Sequence, residues 1–191
     1  MNRRDAQKCL FHFADVMNGR WPFFLTDGTL LGAVREGNFI SYDTDIDVGI
    51  WAADFDKAMI DALVAAGFSF DGMRGTPDDG LVIKLSYHGL QFDVYGFQRG
   101  ETFSISIPHR NFRLRAHLRP FTLAPIMFLG RQFLAPDPPE QYLEDGYGPN
   151  WRRPTRAWNF RYSPPNIRVD GGPIAQIHYR LRRWWRLRRL T

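Results

Sequence analysis

In the N-terminal stretch from Met1 to Gly19 the apolar side chains recur at helical spacing, with Ala6, Cys9, Leu10, Phe13 and Met17 on one face, which predicts an amphipathic first helix. The apolar run Trp21 to Leu25 predicts a short buried strand. It is ended by Thr26-Asp27-Gly28-Thr29, where Gly28 permits an unusual backbone and Thr26 or Asp27 is placed to cap a helix. Leu30 to Glu36 then predicts a short helix closed by Gly37. Asp45 to Trp51 alternates as a strand does, with Ile46, Val48 and Ile50 on one side and carboxylates on the other. Phe55, Met59, Ala62, Leu63 and Ala66 return to helical spacing, and Gly67 is the stop.

Leu81 to Phe97 predicts a β-hairpin turning at His88-Gly89. Its second strand puts Phe92, Val94 and Gly96 on one face and Asp93 and Tyr95 on the other, so Asp93 is a carboxylate in mid-strand. Glu101 to Ile107 predicts a further strand. Beyond Pro108 proline and aromatic residues punctuate the pattern, and Ala135 to Pro154 reads as loop with one short helix around Glu140 to Leu143. The last stretch, Gly172 to Thr191, is helical by period, with Ile174, Ile177, Leu181, Trp184 and Trp185 on one side and arginines largely on the others. Mixed strands and helices predict an α+β fold in two segments: a single domain over 1–172 and a basic amphipathic helix over 173–191.

Composition adds exclusions. With 191 residues, 44% hydrophobic and 24% charged, the chain has the make-up of a globular domain with a core of its own, neither disordered nor fibrous. Cys9 is the only cysteine, which excludes an internal disulfide framework and a cysteine-based zinc site and points to a reducing compartment. The apolar stretch Phe121 to Gly130 is about half of the ~20 residues a spanning helix needs, and Pro125 interrupts it. Charge is divided along the chain. Residues 1–100 carry 9 basic and 14 acidic side chains, residues 101–191 carry 16 and 6, so the first half suits cations and the second phosphates or an anionic surface.

The acidic half holds the candidate chemistry. In an extended segment Asp43, Asp45 and Asp47 share one side of the chain, roughly 6–7 Å apart in successive pairs. Without a counter-charge they raise one another's pKa and weaken the fold; a hard divalent cation, Mg²⁺ or Mn²⁺, reverses that balance. Asp93, projecting from an otherwise apolar strand, is the best candidate for a further carboxylate from a neighbouring strand. Gly28, Thr29 and the amides that open the following helix can donate to a phosphate, and Arg35 can add a bidentate contact. Glycine turn, short helix and then paired aspartates on the next strand is the logic of a nucleotidyltransferase palm.

At these residues the sequence resembles the LicD family, which includes phosphorylcholine transferases and the fukutin-related proteins. The likeness rests on GTLLGAVREGNFISYDTDIDVGI (Gly28 to Ile50), extends to QFDVYGF (Gln91 to Phe97), and takes in Ala135 to Pro154 with Tyr147, Gly148 and Trp151. Glu36 stands where the family often has His, and Ile40-Ser41-Tyr42-Asp43 replaces a common Ile-Pro-Trp-Asp. The resemblance implies a nucleotidyltransferase-like mixed sheet flanked by helices. It also implies metal-dependent transfer of a phosphate-linked group, such as phosphocholine or a polyol phosphate, from a CDP-activated donor to a glycan hydroxyl in cell-surface polysaccharide synthesis. Asp45 and Asp47 are then principal metal ligands, Asp43 a further or outer one, and Asp93 a metal ligand, the general base on the acceptor, or both.

Two rival readings stand beside it. The same palm transfers whole nucleotides to small-molecule acceptors, and the arginine-rich second half also suits a non-enzymatic module that binds nucleic acid or a membrane, although its arginines form no known nucleic-acid reading motif. The C-terminal helix, with six arginines in residues 180–189 and adjacent tryptophans, is expected to tether the protein to an anionic membrane surface bearing lipid-linked glycan acceptors; the alternative is that Ile174, Ile177, Leu181 and Trp184 pack onto the domain while the arginines face water. The expected location is cytoplasmic, peripheral at the inner membrane face.

Overall fold

The predicted amphipathic helix forms as α1 (Arg3–Met17), with the five expected side chains buried together with Ala14. It lies on the sheet that the central alternating segment organises. The computed structural model describes residues 1–17, 19–100, 103–109, 112–155 and 163–188.

After α1 come β1 (Phe24–Leu25), α2 (Asp27–Glu36), β2 (Asp45–Trp51), α3 (Lys57–Ala65), β3 (Ser69–Thr76), β4 (Asp79–Tyr87) and β5 (Leu90–Phe97). The second half holds β6 (Phe103–His109), β7 (Phe112–Leu118), β8 (Thr122–Phe128), β9 (Arg131–Asp137), α4 (Pro139–Tyr147), β10 (Ile167–Asp170) and α5 (Pro173–Leu187). Seven strands make one mixed sheet in the order β3-β4-β5-β2-β1-β9-β8, in which β2 runs parallel to β5 and β1 parallel to β9. β10-β7-β6 form a small antiparallel second sheet. This is an α+β, nucleotidyltransferase-like architecture: a mixed sheet flanked by helices.

One face of the large sheet is apolar throughout. Ile46, Val48 and Ile50 of β2 join Phe92 and Val94 of β5 and Leu81, Ile83 and Leu85 of β4, all buried. Phe13 of α1 closes this face by stacking on Phe92, ring centres 4.4 Å apart. The other face is divided. At one end Phe24, Trp51, Phe97, Phe121 and Tyr142 form an aromatic cluster. Gly49 makes room for it, because a Cβ there would lie 2.4 Å from the Phe24 ring. At the other end the same face carries the aspartates.

Several expected elements change on folding. The strand expected over Trp21–Leu25 contracts to Phe24–Leu25. Ser69–Thr76, whose residues are nearly all exposed, pairs as an edge strand. Thr122–Asp137 is a hairpin whose turn residues Leu129 and Gly130 both take positive φ, so Ala135–Asp137 is strand and not loop. Pro125 is accommodated because β8 is the last strand of the sheet, where a missing N–H costs no ladder bond. The strand expected at Glu101–Ile107 begins, in the described residues, at Phe103; Glu101 and Thr102 lie outside them. No helix among the described residues is long and apolar enough to cross a membrane.

Candidate metal centre and cleft

The first turn of α2 and the start of β2, with the loop before it, meet at the edge of a cleft of about 800 Å³. Gly37, with φ 62°, closes α2 in the left-handed conformation expected of a C-terminal glycine. At the other end of α2, Thr26 holds the N-cap position but its side chain does not cap. The Thr26 hydroxyl instead meets the Tyr142 hydroxyl of α4, and both stand within reach of the Asp27 carboxylate, at 3.2 Å and 3.4 Å. Asp27 has φ 42°, an uncommon conformation for a residue with a side chain, and its position is held by these two hydroxyls.

Asp43, Asp45 and Asp47 converge: Asp45 and Asp47 leave β2 on one face, Asp43 joins them from the loop before the strand and not from an extended continuation of it, each offers a carboxylate oxygen, and the three oxygens lie within 4.8 Å of one another. The glycine beneath them is required by space. A Cβ on Gly28 would sit 2.4 Å from Asp43 Oδ2 and 2.9 Å from Asp47 Oδ2. The Gly28 N–H donates to Asp47 Oδ2 at 2.9 Å, and the Asp47 N–H donates to the Thr29 hydroxyl at 2.8 Å. Both Gly28 and Thr29 thus grip Asp47, which places the carboxylate at the positive end of α2.

The electrostatics show a site short of positive charge. Burial, then the neighbouring carboxylates Asp45, Asp27 and Asp43, hold Asp47 well above the usual carboxyl range. Asp43 is pushed up to about 7, first by burial and then by Asp45, and Asp27 to about 6, chiefly by burial. Three clustered oxygens, deep carboxyls that repel one another and a glycine cradle with no room for a methyl group are the donor set and charge deficit that suit a hard divalent cation.

Asp93 lies directly across from Asp47 on the parallel strand β5, on the same face. Its carboxylate is bridged by Lys84 Nζ of β4, at 2.9 Å and 2.6 Å, and accepts from the Tyr95 hydroxyl at 3.3 Å. Among the described residues the close oxygen cluster comprises Asp43, Asp45 and Asp47, with Asp93 beside it. Arg35 also lines the cleft. Its side chain is 8% exposed; it donates to the Trp151 carbonyl at 3.2 Å and to Glu36 at 2.9 Å, while its buried Nε has no hydrogen-bond partner among the described residues.

Sequence reasoning singled out neither Lys84 nor Tyr142, and offered Asp27 only as a candidate helix cap, a position that Thr26 holds. For Lys84 a signal existed: a two-residue turn at His88-Gly89 pairs Tyr87 with Leu90 and so brings Lys84 opposite Asp93. Tyr147 and Trp151, noted in the chain only for their pattern, also line the cleft.

The profile of the LicD/FKTN/FKRP nucleotidyltransferase domain matches residues 20–137. The chain belongs to the LicD family. The matched span, which ends with β9, includes Gly28, Asp43, Asp45, Asp47 and Asp93. Human "Ribitol-5-phosphate transferase FKTN" is 30% identical over 182 residues, 91% of this chain and 39% of the human protein. Its mouse counterpart is 30% identical over 162 residues, 81% of this chain and 35% of that protein. An uncharacterized Caenorhabditis elegans protein, T07A5.1, is 25% identical over 193 residues, 88% of this chain and 48% of its own length. This LicD chain therefore spans less than half the length of the curated relatives it matches.

Proposed function

We propose that the protein is a divalent-metal-dependent phosphotransferase that moves a phosphate-linked group, phosphocholine or a polyol phosphate, from a CDP-activated donor to a hydroxyl of a glycan. The observation that carries this reading is the convergence of Asp43, Asp45 and Asp47 within 4.8 Å at the rim of a cleft that also presents Lys84 and Arg35. Family membership and the transferase names of the mammalian relatives support the reaction class.

In this reading Asp45 and Asp47 are the principal ligands of Mg²⁺ or Mn²⁺ and Asp43 a further one. When bound, the ion neutralises the donor pyrophosphate and the charge that builds on the departing nucleotide. Gly28 and Thr29 hold Asp47 in place from the start of α2. Arg35, whose Nε has no partner among the described residues, and Lys84 are the cations for donor phosphate oxygens. Asp93, one strand from the cluster, takes the acceptor proton. The acceptor oxygen forms the new bond to phosphorus, the phosphoanhydride bond breaks, and its electron pair leaves with cytidine monophosphate. Tyr95 and Tyr147, whose phenols burial holds well above their usual range, remain neutral hydrogen-bond donors around these groups.

The test is a panel of CDP-linked donors, each offered with Mg²⁺ or Mn²⁺ and glycan acceptors. Cytidine monophosphate release that requires the metal and is lost in Asp45→Asn is expected. Pyrophosphate release from a nucleoside triphosphate, with no turnover of any CDP donor, would replace this reading by nucleotide transfer.

A further inference from the structure

α5 turns its apolar side away from the protein. Ile174, Ile177, Leu181, Trp184 and Trp185 are 84%, 59%, 64%, 55% and 46% exposed, whereas Tyr179 is 3% exposed and packs with Leu114 and Ile167. Successive residues advance by about 100° around a helix, so the five exposed side chains fall within one arc of roughly 100°, on the side opposite Tyr179. Packing onto the domain therefore uses Tyr179 and Arg183, whose guanidinium donates to the Pro164 carbonyl at 3.1 Å, and leaves the stripe of Ile174, Ile177, Leu181 and Trp184 more than half exposed.

We propose that this stripe docks the protein on an anionic lipid bilayer. The charge pattern selects that partner: no acidic residue occurs from Gly171 to Thr191, and Arg180 and Arg182 border the stripe on its two sides. Apolar side chains between flanking guanidinium groups suit the headgroup boundary, where the stripe inserts and the arginines reach lipid phosphates. Trp184 and Trp185 are the side-chain type that resides there. A second copy of the chain would bring arginines against arginines, and a nucleic acid would leave the stripe in water.

The placement of α5 gives the docking a consequence. Pro164 and Ile167, the residues that Arg183 and Tyr179 hold, both line the cleft with the aspartates. A bilayer on the outer side of α5 therefore lies next to the rim of that cleft, within reach of an acceptor carried by the membrane. The docking rests on the helix alone and does not depend on the transfer chemistry.

Co-sedimentation of the full chain with mixed phosphatidylglycerol and phosphatidylcholine vesicles tests it, beside vesicles of phosphatidylcholine only. Expected are binding to the mixed vesicles, release at high salt, and a loss of about tenfold or more in the variant Leu181→Ser/Trp184→Ser, since two large apolar side chains no longer insert. Because both residues are exposed, circular dichroism and melting of this variant should match the parent. Arg180→Gln/Arg186→Gln should weaken binding and its salt dependence together. No binding by the folded parent overturns the proposal. So does equal binding by the parent and the Leu181→Ser/Trp184→Ser variant, or self-association without vesicle binding that this variant abolishes.

Discussion

Asp47 and Asp93 face each other across the parallel pair β2–β5, yet their carboxylates are partnered in different ways. Asp47 accepts the Gly28 N–H at the start of α2, while Asp93 is bridged by Lys84. One lacks a cation and the other has one built in. In the proposed mechanism that asymmetry separates a place for a metal ion from a place for proton transfer on adjacent strands.

Asp45→Asn and Asp47→Asn should each abolish metal-dependent turnover while leaving circular dichroism unchanged. Both remove ligand charge and keep the shape of the side chain. The metal-free Asp47→Asn protein should melt no lower than the parent, since a repelled, buried carboxyl is replaced by a neutral amide. Added Mn²⁺ should raise the melting temperature of the parent only. Normal turnover in both variants would remove the metal centre from the mechanism.

Metal-free stability should fall as pH rises. Asp27 and Asp43 go from a usual 3.8 to about 6 and about 7, so between about pH 4 and pH 7 the folded chain binds more protons than the unfolded one. Stability present below the unfolded pKa is then lost as pH rises through the folded values. Differential scanning in the presence of a chelator should show a melting temperature that drops by several degrees across that window, and saturating Mn²⁺ should flatten the curve. A rise with pH in the chelated protein contradicts the assignment.

Lys84→Met should lower stability by about 1–2 kcal/mol, a moderate figure because the Lys84 side chain is 40% exposed, while Asp93 is left with a largely buried, unpaired charge. Asp93→Asn in the same chain should recover most of the loss, which urea titration of the double-mutant cycle measures. Asp93→Asn by itself should reduce turnover more than donor affinity if Asp93 is the base. Equal effects on both would make it a metal ligand.

Two glycine substitutions separate the site from the core. Gly28→Ala drives a methyl group into Asp43 and Asp47 and should cost about tenfold or more in Mn²⁺ affinity, read by calorimetry, with the sheet intact. Gly49→Ala meets the Phe24 ring and should lower unfolding free energy by about 1–3 kcal/mol. Unchanged metal affinity in Gly28→Ala would show that the cradle is not part of the site.

The periodicities of α1, β2 and α3 and the His88-Gly89 hairpin were legible in the chain because each is a local pattern of burial or turn chemistry. The alternation of β2 also determined that Asp45 and Asp47 leave the sheet on one face, which the structure shows with Asp43 drawn in beside them. The hairpin β8–β9 was not legible, because its turn places Leu129, which carries no turn signal, at positive φ, and because Pro125 reads as a breaker until β8 is known to be an edge. Tertiary structure alone decided that β5 lies parallel beside β2, a pairing across 46 residues that puts Asp93 opposite Asp47. It alone gave Gly28 and Thr29 to Asp47 and brought Tyr142 against Asp27 from 115 residues away. It also decided that α5 packs through Tyr179 and leaves its stripe exposed, since a helical repeat defines two faces and only the neighbouring surface selects which one is buried.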